Sequence, residues 1–345
     1  MPPTNVHFNG SVNLPDTETV MREIVARVPK GVSGIPDGET GERQQWIFFQ
    51  LGKFQQTPGL EPDVPVDMTD EYAQMPKVKL SAGTDPEGIV WPNLGYADVY
   101  QDSFGIFHKL REEGTIPPGV RFRVEYPTPL ASISGWLILE DQDRLEPSYE
   151  RALLADLDRL LDALPYDHVA VQWDVAVEFG HLEAAYPGAK GMDAIVDRLA
   201  RDVDHVPADV PVGLHLCYGD YHHQHFQEPE SLAMQVEVVN NTTAAASRPI
   251  DFFSFTVPQY QRNPAYFEPL ASLASLPATE LYFALVPYHP EDQPEGTTAE
   301  QVRLIDGHLG DRPWGICTEC GMGRVEREDI PTLLDLHREI LATYA

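Results

Sequence analysis

The sequence predicts a (β/α)8 barrel. Three observations point there. Eight short, apolar, β-branched runs recur along the 345 residues. Segments with helical periodicity lie between them, the alternation expected of a parallel sheet wrapped by helices. No Gly-x-Gly-x-x-Gly follows the first run, and "GETGER" at 38–43 is not that fingerprint, so a doubly wound dinucleotide-binding sheet ranks second.

The predicted strands are 6–11, 32–38, 121–127, 168–175, 211–219, 251–258, 281–287 and 313–320. Near-continuous apolar runs such as "HVAVQWDV" suit strands covered on both faces. The segment 147–165 places Leu153, Leu154, Leu157, Leu160, Leu161 and Leu164 on one helical face and Asp and Arg on the other. Segments 16–28, 190–205, 229–246, 298–309 and 328–344 carry similar signals. Residues 44–120 break the rhythm between the second and third strands and are rich in Pro, Asp and Gly. They are read as a helix followed by a long insertion, a lid over one end of the barrel. The whole chain, 1–345, is read as one barrel domain.

Composition narrows the function. There are 54 acidic and 24 basic residues, a net charge of −30. Such a field opposes nucleic acid and anionic membrane surfaces as partners and leaves a small-molecule substrate. No apolar run is long enough to span a bilayer, and no leader pattern opens the chain. Three cysteines in a chain of this length argue against a disulfide framework and for a reducing, cytoplasmic setting. Oligomeric state is not set by the sequence.

In such a barrel the active site lies at the C-terminal ends of the strands, and polar residues collect there. They are Gly10-Ser11, Asp37-Gly38-Glu39, Asp174, His215 with Cys217, His289, and Cys317 with Cys320. His215 and Cys217 are two apart, so on a strand they share a face. Cys320 reaches them if the barrel closes. Two cysteines and a histidine with an open fourth position form a known catalytic zinc arrangement. The spacing alone also fits a buried strand histidine and two small apolar cysteines with no metal. Cys317-x-x-Cys320 closes a barrel strand rather than opening a thioredoxin-like helix, which disfavours redox chemistry. The histidines at 222, 223 and 225 fit a solvated loop better than a second metal cluster. Ser11 has no evident His-Asp partners for a hydrolase triad.

The wording of these segments resembles the catalytic barrel of cobalamin-independent methionine synthase, within the broader uroporphyrinogen decarboxylase-like group. "HLCYGD" (215–220) is similar to the family's zinc-binding strand and "CTECGMGR" (317–324) to the phrase with its last cysteine ligand. The resemblance implies zinc as cofactor, held by His215, Cys217 and Cys320. It implies that Asp174, in "VQWDVAVEFG", and Glu39 hold a substrate amino group, and that the backbone of Gly10-Ser11 holds its carboxylate. His289, in "VPYHPED", corresponds to a proton-shuttling histidine. Trp136, in "PTPLASISGW", lies near the family's donor-stacking tryptophan, although the surrounding phrase is altered. The implied activity is zinc-dependent methyl or alkyl transfer to a thiol, with an amino-acid thiol such as homocysteine as substrate.

One departure stands out. The family's remaining zinc ligand is a glutamate at the end of the sixth strand, where this chain reads "IDFFSFTVPQ" with Ser254 and Thr256. Cys317, Glu319 and the histidines 222, 223 and 225 are the candidate replacements. A metal-dependent lyase or hydrolase acting on a small organic acid is the alternative on this scaffold, and a non-catalytic binding protein is the third reading.

Overall fold

The computed structural model describes residues 2–63, 76–221, 224–274 and 278–344. Ten strands appear in chain order: β1 (Asn5–Val6), β2 (Gly34–Ile35), β3 (Leu60–Pro62), β4 (Val78–Leu80), β5 (Arg121–Pro127), β6 (Val169–Val175), β7 (Val212–Leu216), β8 (Phe252–Phe255), β9 (Glu280–Ala284) and β10 (Gly315–Cys317). Eight of them form one parallel sheet in the order β1-β10-β9-β8-β7-β6-β5-β2. A parallel bridge between Val6 and Val32, with Val6 N–H donating to the Gly31 carbonyl at 2.7 Å, joins the two edges. The fold is an α/β, TIM-barrel-like one, and every predicted strand falls on a sheet strand. β1 and β2 are shorter than expected because the chain leaves the ladder early to build the mouth of the barrel.

The helices are α1 (Thr17–Arg27), α2 (Gln50–Gln56), α3 (Tyr96–Glu112), α4 (Pro129–Trp136), α5 (Leu139–Leu161), α6 (Val177–Leu182), α7 (Met192–His205), α8 (Ala233–Ala245), α9 (Pro264–Phe267), α10 (Thr297–Leu309) and α11 (Ile330–Tyr344). Local chemistry sets several starts. Asp16 caps α1 by accepting from Thr19 N–H at 2.8 Å. Thr128 caps α4, with Pro129 in the first turn where its missing N–H costs nothing. α5 starts earlier than expected. The expected segment starts at 147, but the helix begins at Leu139 and carries Pro147 inside. Leu145 and Tyr149, both fully buried, hold the segment on either side of that proline against the core.

The excursion between β2 and β5 is smaller than expected. Helix α3 lies inside the 44–120 segment, yet it packs on α1, α5 and β5 as a regular barrel helix. The irregular part therefore ends before Tyr96. It holds α2 and an antiparallel β3–β4 hairpin, tied to the barrel where Ile138 N–H donates to the Val78 carbonyl at 3.1 Å. Residues 64–75 of the expected lid lie outside the described residues. Among the described residues no helix is long and apolar enough to cross a membrane.

The barrel interior is unusually polar toward its C-terminal end. His7 Nε2 meets Gln172 Oε1 at 2.8 Å across the barrel, and Gln172 Nε2 donates to Asp174 Oδ1 at 2.9 Å. Alternation along β6 sends Gln172 and Asp174 inward together. Parallel register then sets Asp174 beside His215 on β7, and His215 beside Ser254 on β8.

Candidate metal and substrate site

β7 delivers His215 inward, and Cys217 follows just past its last residue, anchored by donation from its N–H to the Val175 carbonyl at 2.9 Å. Cys320 arrives from the loop after β10. Its N–H donates to the Tyr288 hydroxyl at 2.8 Å, and that hydroxyl donates to the Gly321 carbonyl at 3.0 Å. The loop is pressed against the end of the first predicted strand: a Cβ on Gly321 would stand 2.3 Å from Ser11 Oγ, so only glycine fits.

His215, Cys217 and Cys320 present ligand atoms that all lie within 4.8 Å of one another, the one such group among the described residues. The donor chemistry fits a soft or borderline cation. Without one, the Cys217 hydrogen bond and burial hold the Cys320 thiol well above its usual pKa. A cation at the centre would favour both thiolates, and the Gly219 N–H, 3.3 Å from Cys217 Sγ, points the same way. His215 Nε2 is 3.1 Å from the Glu319 carbonyl, and its Nδ1 is 3.4 Å from Asp174 Oδ1. Burial opposes an imidazolium there, but the bond and charge of Asp174 outweigh it and raise the His215 pKa.

The expected fourth ligand is absent from β8. The Ser254 hydroxyl donates to Asn9 Oδ1 at 2.9 Å, and the Thr256 hydroxyl donates to the Leu216 carbonyl at 2.8 Å. Of the candidate replacements, Cys317 stays outside the group, buried, with its thiol pKa pushed up by desolvation. The Glu319 carboxylate is held 2.6 Å from His225 Nε2. His222 and His223 lie outside the described residues.

These donors form the floor of a cavity of about 340 Å³. Glu39, Asp174, Ser11 and Trp136 also line it, so the structure gathers most of the predicted site in one place. Glu39 sits at φ 47° in the left-handed region, held by donation from its N–H to Asp37 Oδ1 at 2.8 Å. Asp37 is in turn fixed by Arg43 and by Ser103 Oγ at 2.8 Å. Burial, reinforced by the charge of Asp174, raises the Glu39 pKa to about 8. Gly10, at φ 126°, lets the chain pass over Glu39 and Glu125, whose side-chain atoms are 3.4 and 3.3 Å from where a Cβ would be. Glu125 is fully buried, and neither of its oxygens has a hydrogen-bond partner among the described residues, so desolvation raises its pKa strongly.

His289 is placed differently. It does not line the cavity; its side chain is 40% exposed and its Nδ1 lies 3.7 Å from Glu291.

Several cavity residues were not singled out as site residues by sequence reasoning. Trp46 donates from Nε1 to Asp174 Oδ2 at 3.1 Å and sits at φ 54°. It comes from the irregular insertion, where no periodicity marks it. Asn9, in "HFNGS", also lines the cavity, as does Arg324, in "CGMGR". Both belong to phrases that the sequence had already flagged. The far wall is apolar: Phe48, Leu139, Val177 and Phe226 line it together with Trp136, which meets Phe48 edge-on at 5.6 Å.

No family model matches the sequence, and no curated protein matches it either. Solved structures do. A B12-independent methionine synthase from Shewanella sp. W3-18-1, in complex with selenomethionine, superposes over 100% of this chain and 98% of its own, with a TM-score of 0.64 at 12% identity. A putative vitamin-B12-independent methionine synthase from Listeria monocytogenes does so over 99% and 98%, with a TM-score of 0.57 at 13% identity. A methyltransferase from Methanosarcina mazei covers 100% and 94%, with a TM-score of 0.52 at 13% identity. From end to end, then, this chain is a divergent sequence carrying the fold of B12-independent methionine synthase and methyltransferase structures.

Proposed function

We propose that this chain is a zinc-dependent methyl- or alkyl-transferase acting on a small thiol. The convergence of His215, Cys217 and Cys320 within 4.8 Å, on the floor of a cavity, carries the reading. Zinc held by these three residues would supply the Lewis acidity that favours the thiolate form of a substrate thiol. With only three protein donors, such an ion would have room for a substrate atom.

The chain's own residues divide the remaining work. Asp174, oriented by Gln172 and Trp46, would hold a substrate ammonium group, with Glu39 as its second carboxylate. Glu39 rests protonated near neutrality, so an arriving ammonium displaces its proton. The backbone of Gly10 and Ser11 would take the carboxylate of an amino-acid thiol. The apolar wall around Trp136 would seat the donor and exclude water, and the excursion after β2, which brings Trp46, Ile47 and Phe48 to the cavity, would act as its lid. His289 would serve as proton shuttle only if its loop moved inward.

That the Shewanella neighbour holds selenomethionine supports an amino-acid ligand carrying a sulfur-like atom. The test is a cobalt-substituted form titrated with homocysteine. A shift in its absorption supports thiol binding at the ion. An unchanged spectrum favours the second reading, a lyase or hydrolase of a small organic acid. That reading draws on the same three donors and on Glu39, a buried acid poised at about 8.

A further inference from the structure

Of the three clustered histidines, His225 lies among the described residues, and the thiol-transfer reading gives it no role. It does not line the cavity. It stands behind the three-donor group. Its Nε2 is 2.6 Å from Glu319 Oε2 and its Nδ1 is 3.2 Å from Glu228 Oε1, while the Tyr260 hydroxyl donates to Glu228 Oε2 at 2.5 Å. Glu319 directly precedes Cys320, and its backbone carbonyl is 3.1 Å from His215 Nε2. An unbroken chain of contacts thus runs from Tyr260 on the surface to the imidazole donor.

The direction of the last bond is fixed by chemistry. A carbonyl only accepts, so in this contact His215 Nε2 is the donor; a cation would then have to take Nδ1 from its contact with Asp174 Oδ1, 3.4 Å away. Metal-binding histidines depend on such a partner for their tautomer and ring plane. The Glu319 carbonyl can do this only if its loop stays put. His225 and Glu319 side chains are 9% and 15% exposed, so their charge-assisted bond is largely shielded from water.

We propose that His225 is a positioning residue for the ion: by clamping the Glu319 carboxylate it fixes the carbonyl that orients His215, and holds Cys320 in place. The inference rests on the reading of His215, Cys217 and Cys320 as an ion site. It also gives this chain an outer support where β8 offers no carboxylate.

The test measures zinc affinity by competition with a chromophoric chelator, on the full chain, with the absorption of the cobalt form as a second readout. His225→Ala and Glu319→Gln are each expected to weaken zinc by about 10–100-fold, the range for lost outer-shell partners, and to shift the cobalt bands. His225→Lys, which returns a cation to Glu319, recovers part of the affinity. Should His225→Ala fold poorly, the near-isosteric Glu319→Gln decides. Wild-type affinity in both variants, alongside loss of zinc in Cys217→Ser, overturns the positioning role and leaves the ion site standing. A wild-type chain that binds no zinc overturns both.

Discussion

Two neighbouring strand ends treat the mouth of the barrel in opposite ways. β7 ends in His215 and Cys217, which point inward and meet Cys320. β8, hydrogen-bonded beside it, sets Ser254 level with His215 and then turns its hydroxyls away, Ser254 to Asn9 and Thr256 to the Leu216 carbonyl. One end gathers its polar side chains into a common group; the other pairs them with its neighbours. The difference teaches that adjacent strand ends of one sheet can divide the donor supply, two side chains from the end of β7 and none from β8. A three-donor set keeps a coordination position for substrate, whereas a fourth carboxylate would fill it.

That contrast is most severely broken at β7. Cys217→Ser should lower zinc affinity beyond the roughly 100-fold that outer-shell changes cost, because one of three donors is lost; chelator competition measures it. The converse change sharpens it. Ser254→Glu should tighten zinc by about tenfold, about 1.4 kcal/mol, and shrink the response of the cobalt form to thiols. Tighter zinc with an undiminished thiol response would show that the fourth position was never the substrate's.

A subtler effect is expected at Glu39. Its pKa is raised in the folded chain from the usual 4.5 to about 8. A raised acid binds its proton more tightly when folded, so its contribution is full below pH 4.5 and is lost as pH rises through 8. Glu39→Gln should therefore flatten the fall in thermal stability between those limits and leave the variant more stable than wild type at pH 8. Identical melting profiles would contradict the buried, protonated state. A separate effect is expected for Trp46→Phe, which removes one hydrogen bond to Asp174, about 1.5–3 kcal/mol at most for a charged acceptor. Substrate affinity should weaken while zinc content stays unchanged.

Much of this was legible in the sequence, for identifiable reasons. The eight parallel strands announced themselves because burial on both faces demands continuous apolar runs. His215 and Cys217 were legible because a spacing of two on a strand is a statement about direction. Cys320 needed the resemblance of "CTECGMGR" as well, since spacing says nothing across the long stretch of barrel between it and Cys217; its contact with the pair depends on closure of the sheet. Trp46 was hidden in an aperiodic excursion. The role of Glu319 in orienting His215 was hidden too, because it works through a backbone carbonyl that any residue carries. Helix α3 was misread as part of the insertion because proline- and glycine-rich sequence on its N-terminal side masked its start at Tyr96.

The most direct test of the central claim is the metal content of the purified chain, by elemental analysis, beside Cys217→Ser and Cys320→Ser. The account predicts zinc near one per wild-type chain and its loss from both variants. A wild-type chain without zinc, unable to take it up from solution, would contradict the account.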